Sequence, residues 1–278
     1  MAALVFSEHD GVRLAVRRYG RGHRHLIALH GFGRDGSDMA PLAPALGSFY
    51  TLHAFDLHFH GASDHPQGRA ERPFTPEEFA AHFVAYVDQN GLSQADLLGY
   101  SLGGRLVMAL VREQPQRFGR AFLVAPDGLT GRPWYRALAG STAGRYLYRV
   151  FIRHAGGFHR MVDVLHAMGA ISAKRHRFLI GQTDTTEKRE LLHDVWLSYR
   201  KLGPGTEVFA RTLLQQGKQV DLIVGARDHI IPPTVGDGLV SLAPECVRKH
   251  VRDEGHALLT PELGEFLARL LEPIKKGA

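Results

Sequence analysis

The sequence has little of what a disulfide-stapled or membrane-spanning protein needs. Cys246 is the one cysteine among 278 residues, so no disulfide can form within the chain, and we expect this side chain to pack as a small hydrophobe. No apolar run approaches the ~18 residues that a spanning helix requires. No charged and then apolar leader opens the chain. These absences predict a cytoplasmic protein without a membrane span.

The sequence also lacks the signatures of a nucleic-acid binder. The formal net charge is +6, and the excess lies between residues 131 and 205, which hold thirteen Lys and Arg against five Asp and Glu. No RNA-recognition motif, zinc finger or Gly-x-x-Gly loop accompanies this basic segment. We therefore expect no nucleic-acid partner. The segment is interpreted as a solvated basic face or as an entrance that attracts anions.

Apolar patterns alternate between strand and helix periods in both flanks of the chain. Asp10-Gly11 predicts a hairpin turn, and Thr75-Pro76-Glu77-Glu78 predicts a helix start with a capping box. The predicted strands cover residues 3–8, 12–19, 25–30, 49–55, 95–99, 120–125, 219–224 and 245–251. The predicted helices cover 37–46, 75–90, 102–113, 206–216 and 234–242, with a last helix from about 262. Such alternation predicts an α/β protein in three layers, with a mostly parallel sheet between helices.

The alternation stops in the middle of the chain. Residues 128–203 show helical patterns and almost no strand signal. We expect residues 1–127 and 204–278 to form the α/β core and 128–203 to form a helical cap. Ligands of open α/β sheets bind at the carboxyl ends of the strands, so a cap inserted there is predicted to act as a lid.

A candidate nucleophile lies where a predicted strand meets a predicted helix. The segment Gly99-Tyr100-Ser101-Leu102-Gly103 fits the nucleophile elbow Gly-x-Ser-x-Gly, in which a sharp turn presents the serine hydroxyl. The two glycines leave room for neighbouring backbone. The five-residue pattern alone is common, but its strand-turn-helix setting makes it specific. Ser101 is therefore predicted to be a catalytic nucleophile.

A serine hydroxyl needs a base, and the base needs an orienting carboxylate. Asp228 follows the predicted strand 219–224, and His256 follows the last predicted strand. Both loops come after Ser101, in the order serine, acid, histidine that such elbows use. We predict His256 as the base and Asp228 as the acid. Asp127, which also follows a strand, is the main rival acid, whereas Asp253 is too close to His256 in sequence.

Attack on a carbonyl builds negative charge on its oxygen, which backbone N–H groups can stabilise. The predicted donors are the N–H groups of Leu102, at the start of the helix, and of Phe32, in the loop after the third strand. Four further residues are predicted to line the substrate pocket: His30, Gly31, Tyr100 and Trp134.

These motifs together resemble the α/β-hydrolase superfamily in its lidded, single-domain branch. The matching segments are His30-Gly31-Phe32-Gly33, Asp56 through His60-Gly61-Ala62-Ser63, Gly99-Tyr100-Ser101-Leu102-Gly103-Gly104, Gly225-Ala226-Arg227-Asp228 and Gly255-His256. The resemblance implies an eight-stranded sheet whose second strand is antiparallel. His58-Phe59 departs from the Pro-Gly of many relatives, in a loop that we interpret as structural.

Two other patterns compete with this interpretation. Gly31-Phe32-Gly33-Arg34-Asp35-Gly36 matches the dinucleotide fingerprint, and Asp56 follows Gly36 at a suitable distance. The hairpin that precedes the third strand, and the unexplained set of Ser101, Asp228 and His256, argue against an NAD-dependent oxidoreductase. The pairs His58/His60 and His23/His25 have metal-ligand spacing but no matching third ligand, so neither a metal nor another cofactor is expected.

The sequence thus predicts a serine hydrolase that cleaves an ester, thioester or similar acyl bond of a small molecule through an acyl-enzyme. Three alternatives stay open. A related carbon–carbon bond hydrolase or lyase would use the same fold, with arginines of the basic segment (Arg132, Arg136, Arg145, Arg149, Arg153) holding a substrate carboxylate. A hydrolase-like binding protein would keep the triad without turnover, and the oxidoreductase is the least favoured. The patterns predict no oligomeric state.

Overall fold

The computed structural model describes residues 3–130 and 138–272. Its strands are β1 (Ala3–His9), β2 (Val12–Tyr19), β3 (Arg24–Leu29), β4 (Tyr50–Phe55), β5 (Ala95–Tyr100), β6 (Phe118–Val124), β7 (Val220–Gly225) and β8 (Val247–Arg252). Its α-helices are α1 (Ala43–Leu46), α2 (Pro76–Gln89), α3 (Leu102–Glu113), α4 (Thr142–Arg153), α5 (Gly156–Ala167), α6 (Ala173–Gly181), α7 (Thr186–Ser198), α8 (Thr206–Gln216), α9 (Asp237–Leu242) and α10 (Pro261–Arg269).

The strands form one sheet in the order β1-β2-β4-β3-β5-β6-β7-β8. Strand β2 runs antiparallel to both neighbours, and the pairs from β4 to β8 are parallel. The predicted fold class is therefore confirmed, including the antiparallel second strand. The fold follows from the sequence because β7, and β3 beyond its first two residues, are buried, as expected for strands covered by helices on both faces.

Local signals in the sequence correspond to local structure. Asp10 and Gly11 both have positive φ, at 50° and 70°, as a two-residue hairpin turn requires. The Thr75 hydroxyl accepts a hydrogen bond from the Glu78 N–H, and the Glu78 carboxylate accepts one from the Thr75 N–H, which completes the predicted capping box of α2.

Two of the predicted helices are each replaced by a 3₁₀ segment followed by a short α-helix. In place of a helix over 37–46, a 3₁₀ segment covers Gly36–Leu42 and α1 begins only at Ala43. Pro41 lies inside that first segment and provides no N–H for a regular helix. In place of a helix over 234–242, a 3₁₀ turn covers Pro233–Gly236 and α9 begins at Asp237.

The chain divides into two compact units. One unit combines Met1–Pro66, Thr75–Gly131 and Lys201–Ala278, and it contains the whole sheet. The other combines Gln67–Phe74 with Arg132–Arg200. The division of the chain into a core (1–127 and 204–278) and a lid (128–203) stays a prediction.

The second unit is helical, with α4 to α7 among its described residues. Its small buried core contains Tyr148 and Ile152 from α4, Leu197 from α7, and Ala70 and Ala139. Among the described residues, no helix is long and apolar enough to cross a membrane.

The parallel strands place several loops at one edge of the first unit. The segments that follow β3, β5, β6, β7 and β8 all leave the sheet at its carboxyl edge, because the strands run in the same direction. These segments carry the loop of Phe32, the predicted nucleophile Ser101, both candidate acids and His256. The topology therefore brings the predicted site residues to one edge.

Candidate active site

Ser101 lies in a strained turn between β5 and α3. Its backbone has φ 52° and ψ −114°, a region that non-glycine residues rarely occupy. Three glycines allow the turn. A Cβ atom at Gly99 would lie 2.5 Å from the Gly103 carbonyl oxygen, one at Gly103 would lie 2.1 Å from the Leu29 carbonyl oxygen, and one at Gly104 would lie 2.5 Å from Pro126. The turn therefore has the geometry of a nucleophile elbow.

Backbone hydrogen bonds hold the strained residue in place. The Ser101 N–H donates to the Val124 carbonyl at 2.9 Å, and the Asp127 N–H donates to the Ser101 carbonyl at 2.9 Å. Such backbone strain costs about 1–3 kcal/mol and persists only where surrounding contacts fix it. The strand β6 and the loop after it supply those contacts here.

Asp228 and His256 are in direct contact. The carboxylate Oδ2 of Asp228 lies 2.7 Å from Nδ1 of His256, and its Oδ1 accepts the N–H groups of Ile230 and Ile231 at 2.8 and 3.0 Å. Burial by itself raises the pKa of Asp228, but the hydrogen bonds from His256, Ile231 and Ile230 outweigh it and hold the pKa below its usual value. The carboxylate is thus ionised at neutral pH, with His256 Nδ1–H as a donor and Nε2 as the basic nitrogen.

The rival acid has a different partner. Asp127 is buried, and its Oδ2 accepts a hydrogen bond from Arg105 Nη2 at 2.6 Å. The guanidinium and the carboxylate are both nearly inaccessible to solvent. Of the two candidate acids, the structure brings Asp228 to the imidazole and brings Asp127 to an arginine.

Tyr100 links the elbow to the loop of His256. Its hydroxyl donates to the backbone carbonyl of His256 at 2.9 Å, and the two rings lie 5.3 Å apart between centroids. Burial and the nearby carboxylate of Asp228 raise the pKa of Tyr100 to about 12, so the phenol stays a donor at neutral pH. Among the described residues no hydrogen bond joins Ser101 to His256. Catalytic hydrogen bonds of this kind often tighten only when a substrate binds.

The predicted oxyanion donors lie on two segments near the elbow. Leu102 is the first residue of α3, so its N–H has no acceptor within the helix. Phe32 follows Gly31, and a Cβ at Gly31 would lie 3.4 Å from the Ser101 Cβ and 3.1 Å from the Tyr100 ring. The loop of Phe32 therefore runs directly beside Ser101, and a side chain at position 31 would crowd the Tyr100 ring.

Buried histidines fix the shape of that loop. His30 is fully buried, and its Nε2 accepts the Leu57 N–H at 3.0 Å while its Nδ1–H donates to the Gly31 carbonyl at 2.7 Å. His60 Nε2 likewise accepts the Gly33 N–H at 3.1 Å. Burial lowers the pKa of His30 to about 4 and that of His60 to about 3, so both rings are neutral at pH 7.

The carboxylate of Asp56 accepts hydrogen bonds from the backbone of the same region. In a dinucleotide-binding protein, the acid at this position would instead have to bind a ribose. Its Oδ1 accepts the Gly36 N–H and its Oδ2 accepts the Ala62 N–H, each at 2.8 Å, and Arg17 pairs with it. A Cβ at Gly61 would lie 2.1 Å from Oδ2. An acid enclosed by these donors is not presented to a ribose, which argues against the oxidoreductase alternative.

The remaining site predictions have different outcomes. Trp134, Arg132 and Arg136 lie outside the described residues. The pocket roles of His30, Gly31 and Tyr100 stay predictions, although all three lie in or beside the segments that carry Ser101 and Phe32. In residues 3–130 and 138–272, no group of three or more His, Cys, Asp or Glu side chains is arranged to hold a metal ion.

The sequence did not predict three of these contacts: the bond from Tyr100 to His256, the role of His60 in holding Gly33, and the pairing of Asp127 with Arg105. An aromatic residue beside the serine and a histidine in a strand-following loop were visible signals. Their partners are far away in the sequence, so only the fold could identify them.

Comparison with known proteins identifies similar sequences. Residues 24–151 match the model of a family described as the alpha/beta hydrolase fold. The chain is 26% identical, over 97% of its length and 68% of the relative's, to the dihydrolipoyllysine-residue acetyltransferase component of an acetoin cleaving system from Cupriavidus necator. It is 25% identical, over 91% of its length and 94% of the relative's, to a pimeloyl-[acyl-carrier protein] methyl ester esterase from Salmonella newport.

Solved structures show the same fold. A thermophilic esterase from Thermogutta terrifontis with malate bound is 18% identical and has a TM-score of 0.66, covering 98% of this chain and 96% of its own. A meta-cleavage product hydrolase from Pseudomonas fluorescens IP01 is 19% identical with a TM-score of 0.63, covering 96% and 95%.

Proposed function

The chain has the α/β-hydrolase fold, and we propose from that premise that it is a serine hydrolase of esters, thioesters or similar acyl compounds, with Ser101, His256 and Asp228 as its triad. One observation carries the proposal. The carboxylate of Asp228 holds His256 at 2.7 Å in the same unit in which Ser101 occupies a strained elbow. The family match and the esterases among the similar proteins support it.

The proposed reaction has two acyl-transfer steps. Ser101 Oγ attacks the carbonyl carbon while His256 Nε2 takes its proton, and the carbonyl oxygen becomes an oxyanion that the N–H groups of Leu102 and Phe32 stabilise. His256 then gives the proton to the leaving group, which departs and leaves an acyl-enzyme. Water repeats the sequence, frees the acid and restores Ser101. Asp228 keeps the proton of His256 on Nδ1 throughout.

Labelling with a fluorophosphonate followed by mass spectrometry tests the nucleophile. We expect one labelled residue, Ser101, and loss of both label and turnover of p-nitrophenyl esters in Ser101→Ala. A panel of acyl chain lengths, run beside that variant, also separates an enzyme from a binding protein. A label on another serine, or turnover that survives Ser101→Ala, would exclude the proposed mechanism.

Separate replacement of the two candidate acids tests the third member. Asp228→Asn should lower kcat by about 10⁴-fold, because the amide cannot hold the required imidazole tautomer. Asp127→Asn should instead lower stability by about 3–5 kcal/mol, since it breaks the buried ion pair between Asp127 and Arg105. Activity is compared per mole of folded protein, so that a fall in folded protein is not mistaken for lost chemistry. A 10⁴-fold loss in Asp127→Asn alone would reverse the assignment.

A carbon–carbon bond hydrolase is the second candidate. It is favoured by the structural similarity to a meta-cleavage product hydrolase and by the arginines along α4. Two of those arginines already have partners: Arg149 pairs with Glu71, and Arg145 donates to the carbonyls of Ala139 and Gly140. We therefore rank acyl hydrolysis first. Cleavage of a meta-cleavage product at a rate above that of every ester would reverse this ranking.

We also propose residues 128–203 as the cap that selects the substrate. This segment has helices in place of the strand-helix alternation of the flanks. Its basic character favours anionic acyl compounds, so an ester of a dicarboxylic acid should be a better substrate than its neutral counterpart.

A further inference from the structure

A cavity lies at the amino edge of the sheet, away from the loops that carry the triad. Its volume is about 300 Å³, and the residues that matter for it are Gln94, Arg120, Lys218, Gln219, Asp221 and Arg248. Asp221 and Arg248 lie near the starts of β7 and β8, whereas Asp228 and His256 follow the ends of those strands. The six residues of β7 separate its two ends by five steps of extended chain, or about 16 Å, so this amino-edge cavity is not part of the triad's surroundings.

Two cations at the amino-edge cavity lack a carboxylate partner. Lys218 Nζ donates to the Phe118 carbonyl at 2.9 Å, and within the described chain neither Lys218 nor Arg248 forms an ion pair. Their neighbours differ in this respect, because Lys249 pairs with Asp237 and Arg252 pairs with Glu254. Nearby carboxylates therefore neutralise the adjacent cations of β8 but not the two at the cavity.

The carboxylates near the amino-edge cavity are already engaged. Asp221 accepts from Arg120 at 2.6 Å and from His250 at 2.9 Å. Asp96 accepts from Arg24 at 2.5 Å, from the Tyr50 hydroxyl at 2.6 Å and from the Arg120 N–H at 2.9 Å. Each carboxylate thus has one arginine as its counter-ion. Lys218 and Arg248 remain as an excess of two positive charges.

The surroundings of Lys218 favour an anion over water alone. Burial lowers the pKa of this ammonium group, and the carboxylate of Asp96, which raises it, offsets only part of that effect. The side-chain amides of Gln94 and Gln219 line the same cavity and can donate further hydrogen bonds. A phosphate monoester carries a charge of about −1.5 to −2 at pH 7, which matches the local excess.

We propose that the amino-edge cavity binds a phosphate group, as inorganic phosphate or as a phosphate monoester, between Lys218 and Arg248. The ammonium group contributes a point charge and the guanidinium a planar pair of donors, the two kinds of phosphate contact that proteins use. This site is separate from the proposed hydrolase chemistry and would exist whether or not Ser101 is a nucleophile.

Titration of the full-length protein with sodium phosphate, at ionic strength held constant with sodium chloride, tests the site. Isothermal titration calorimetry should show one bound phosphate, and Lys218→Gln and Arg248→Gln should each weaken binding at least tenfold. Arg211→Gln is the matched control, because it removes an exposed cation of α8 that does not line the cavity. Its affinity should equal that of the parent chain, and Ser101→Ala should also bind normally.

The results separate specific binding from charge screening. No heat of binding up to 50 mM phosphate, or equal weakening in Arg211→Gln and the two cavity variants, would overturn the proposal. Glycerol phosphate distinguishes the sources: tighter binding than inorganic phosphate assigns the site to monoesters, and weaker binding assigns it to the free ion. Either variant that fails to fold is replaced by Lys218→Met or Arg248→Met, for which a loss of binding is again expected.

Discussion

Replacement of Tyr100 by phenylalanine would test whether the elbow positions the histidine through the Tyr100 side chain. The change deletes one oxygen, whose hydrogen bond reaches the His256 carbonyl at 2.9 Å, and keeps the ring that lies 5.3 Å from the imidazole. Because the pKa of Tyr100 is raised to about 12, the deleted group is a neutral donor at every pH of a normal assay. The effect should therefore not depend on pH between about 6 and 9.

The magnitude follows from the hydrogen bond that is lost. A neutral hydrogen bond within a protein contributes about 0.5–1.5 kcal/mol net. If all of that loss appears as poorer placement of His256 in the transition state, kcat falls by about 2- to 12-fold. His256 is half-buried, so we expect water to replace part of the bond and keep the effect in this range.

Steady-state kinetics on a p-nitrophenyl ester measure the effect. We expect a lower kcat at unchanged KM, and an equal fall in the rate of fluorophosphonate labelling, since both depend on His256. Tyr146→Phe is the control, because Tyr146 is 66% exposed on α4. An unchanged kcat in Tyr100→Phe would refute the positioning role. A change in KM alone would indicate that Tyr100 contributes to the substrate pocket and does not position His256.

The other predictions concern stability. Gly103→Ala should destabilise the protein by about 3 kcal/mol, because the new Cβ would lie 2.1 Å from a backbone oxygen. Gly140→Ala is the control and should not destabilise it, because nothing lies within 4 Å of a Cβ at that position. Thermal unfolding of the two variants measures the difference, and an equal Tm would contradict the prediction. The second stability prediction concerns pH. The pKa of His30 is about 4 in the folded protein and about 6.5 in the unfolded chain, so its imidazole is neutral in both states above pH 6.5. Between pH 6.5 and pH 4 only the unfolded chain binds a proton there. Stability should therefore fall by about 3 kcal/mol between pH 6.5 and pH 4 on account of His30, and urea unfolding should show a shallower fall in His30→Asn.

Sequence alone determined the features that depend on neighbouring residues. The elbow around Ser101 could be predicted because the glycines that the turn requires lie within a few residues of the serine. The capping box at Thr75 and the hairpin at Asp10-Gly11 could be predicted for the same reason, since each depends on backbone geometry over two to four residues. The alternation of apolar runs was also enough to predict the mostly parallel sheet, whereas its antiparallel second strand was implied by the resemblance to the α/β-hydrolase superfamily.

Tertiary structure decided which distant groups meet. Asp127 and Asp228 both follow a predicted strand and both lie between Ser101 and His256, so the sequence favoured Asp228 but left Asp127 as its main rival. The strand order places Asp127 against Arg105 and Asp228 against His256, 28 residues away. Likewise Tyr100 meets a carbonyl 156 residues later, and Lys218 and Arg248 meet at one cavity. Such contacts depend on strand order and packing rather than on local propensity, which is why the nucleophile could be predicted from its own segment while the surroundings of its partners could not.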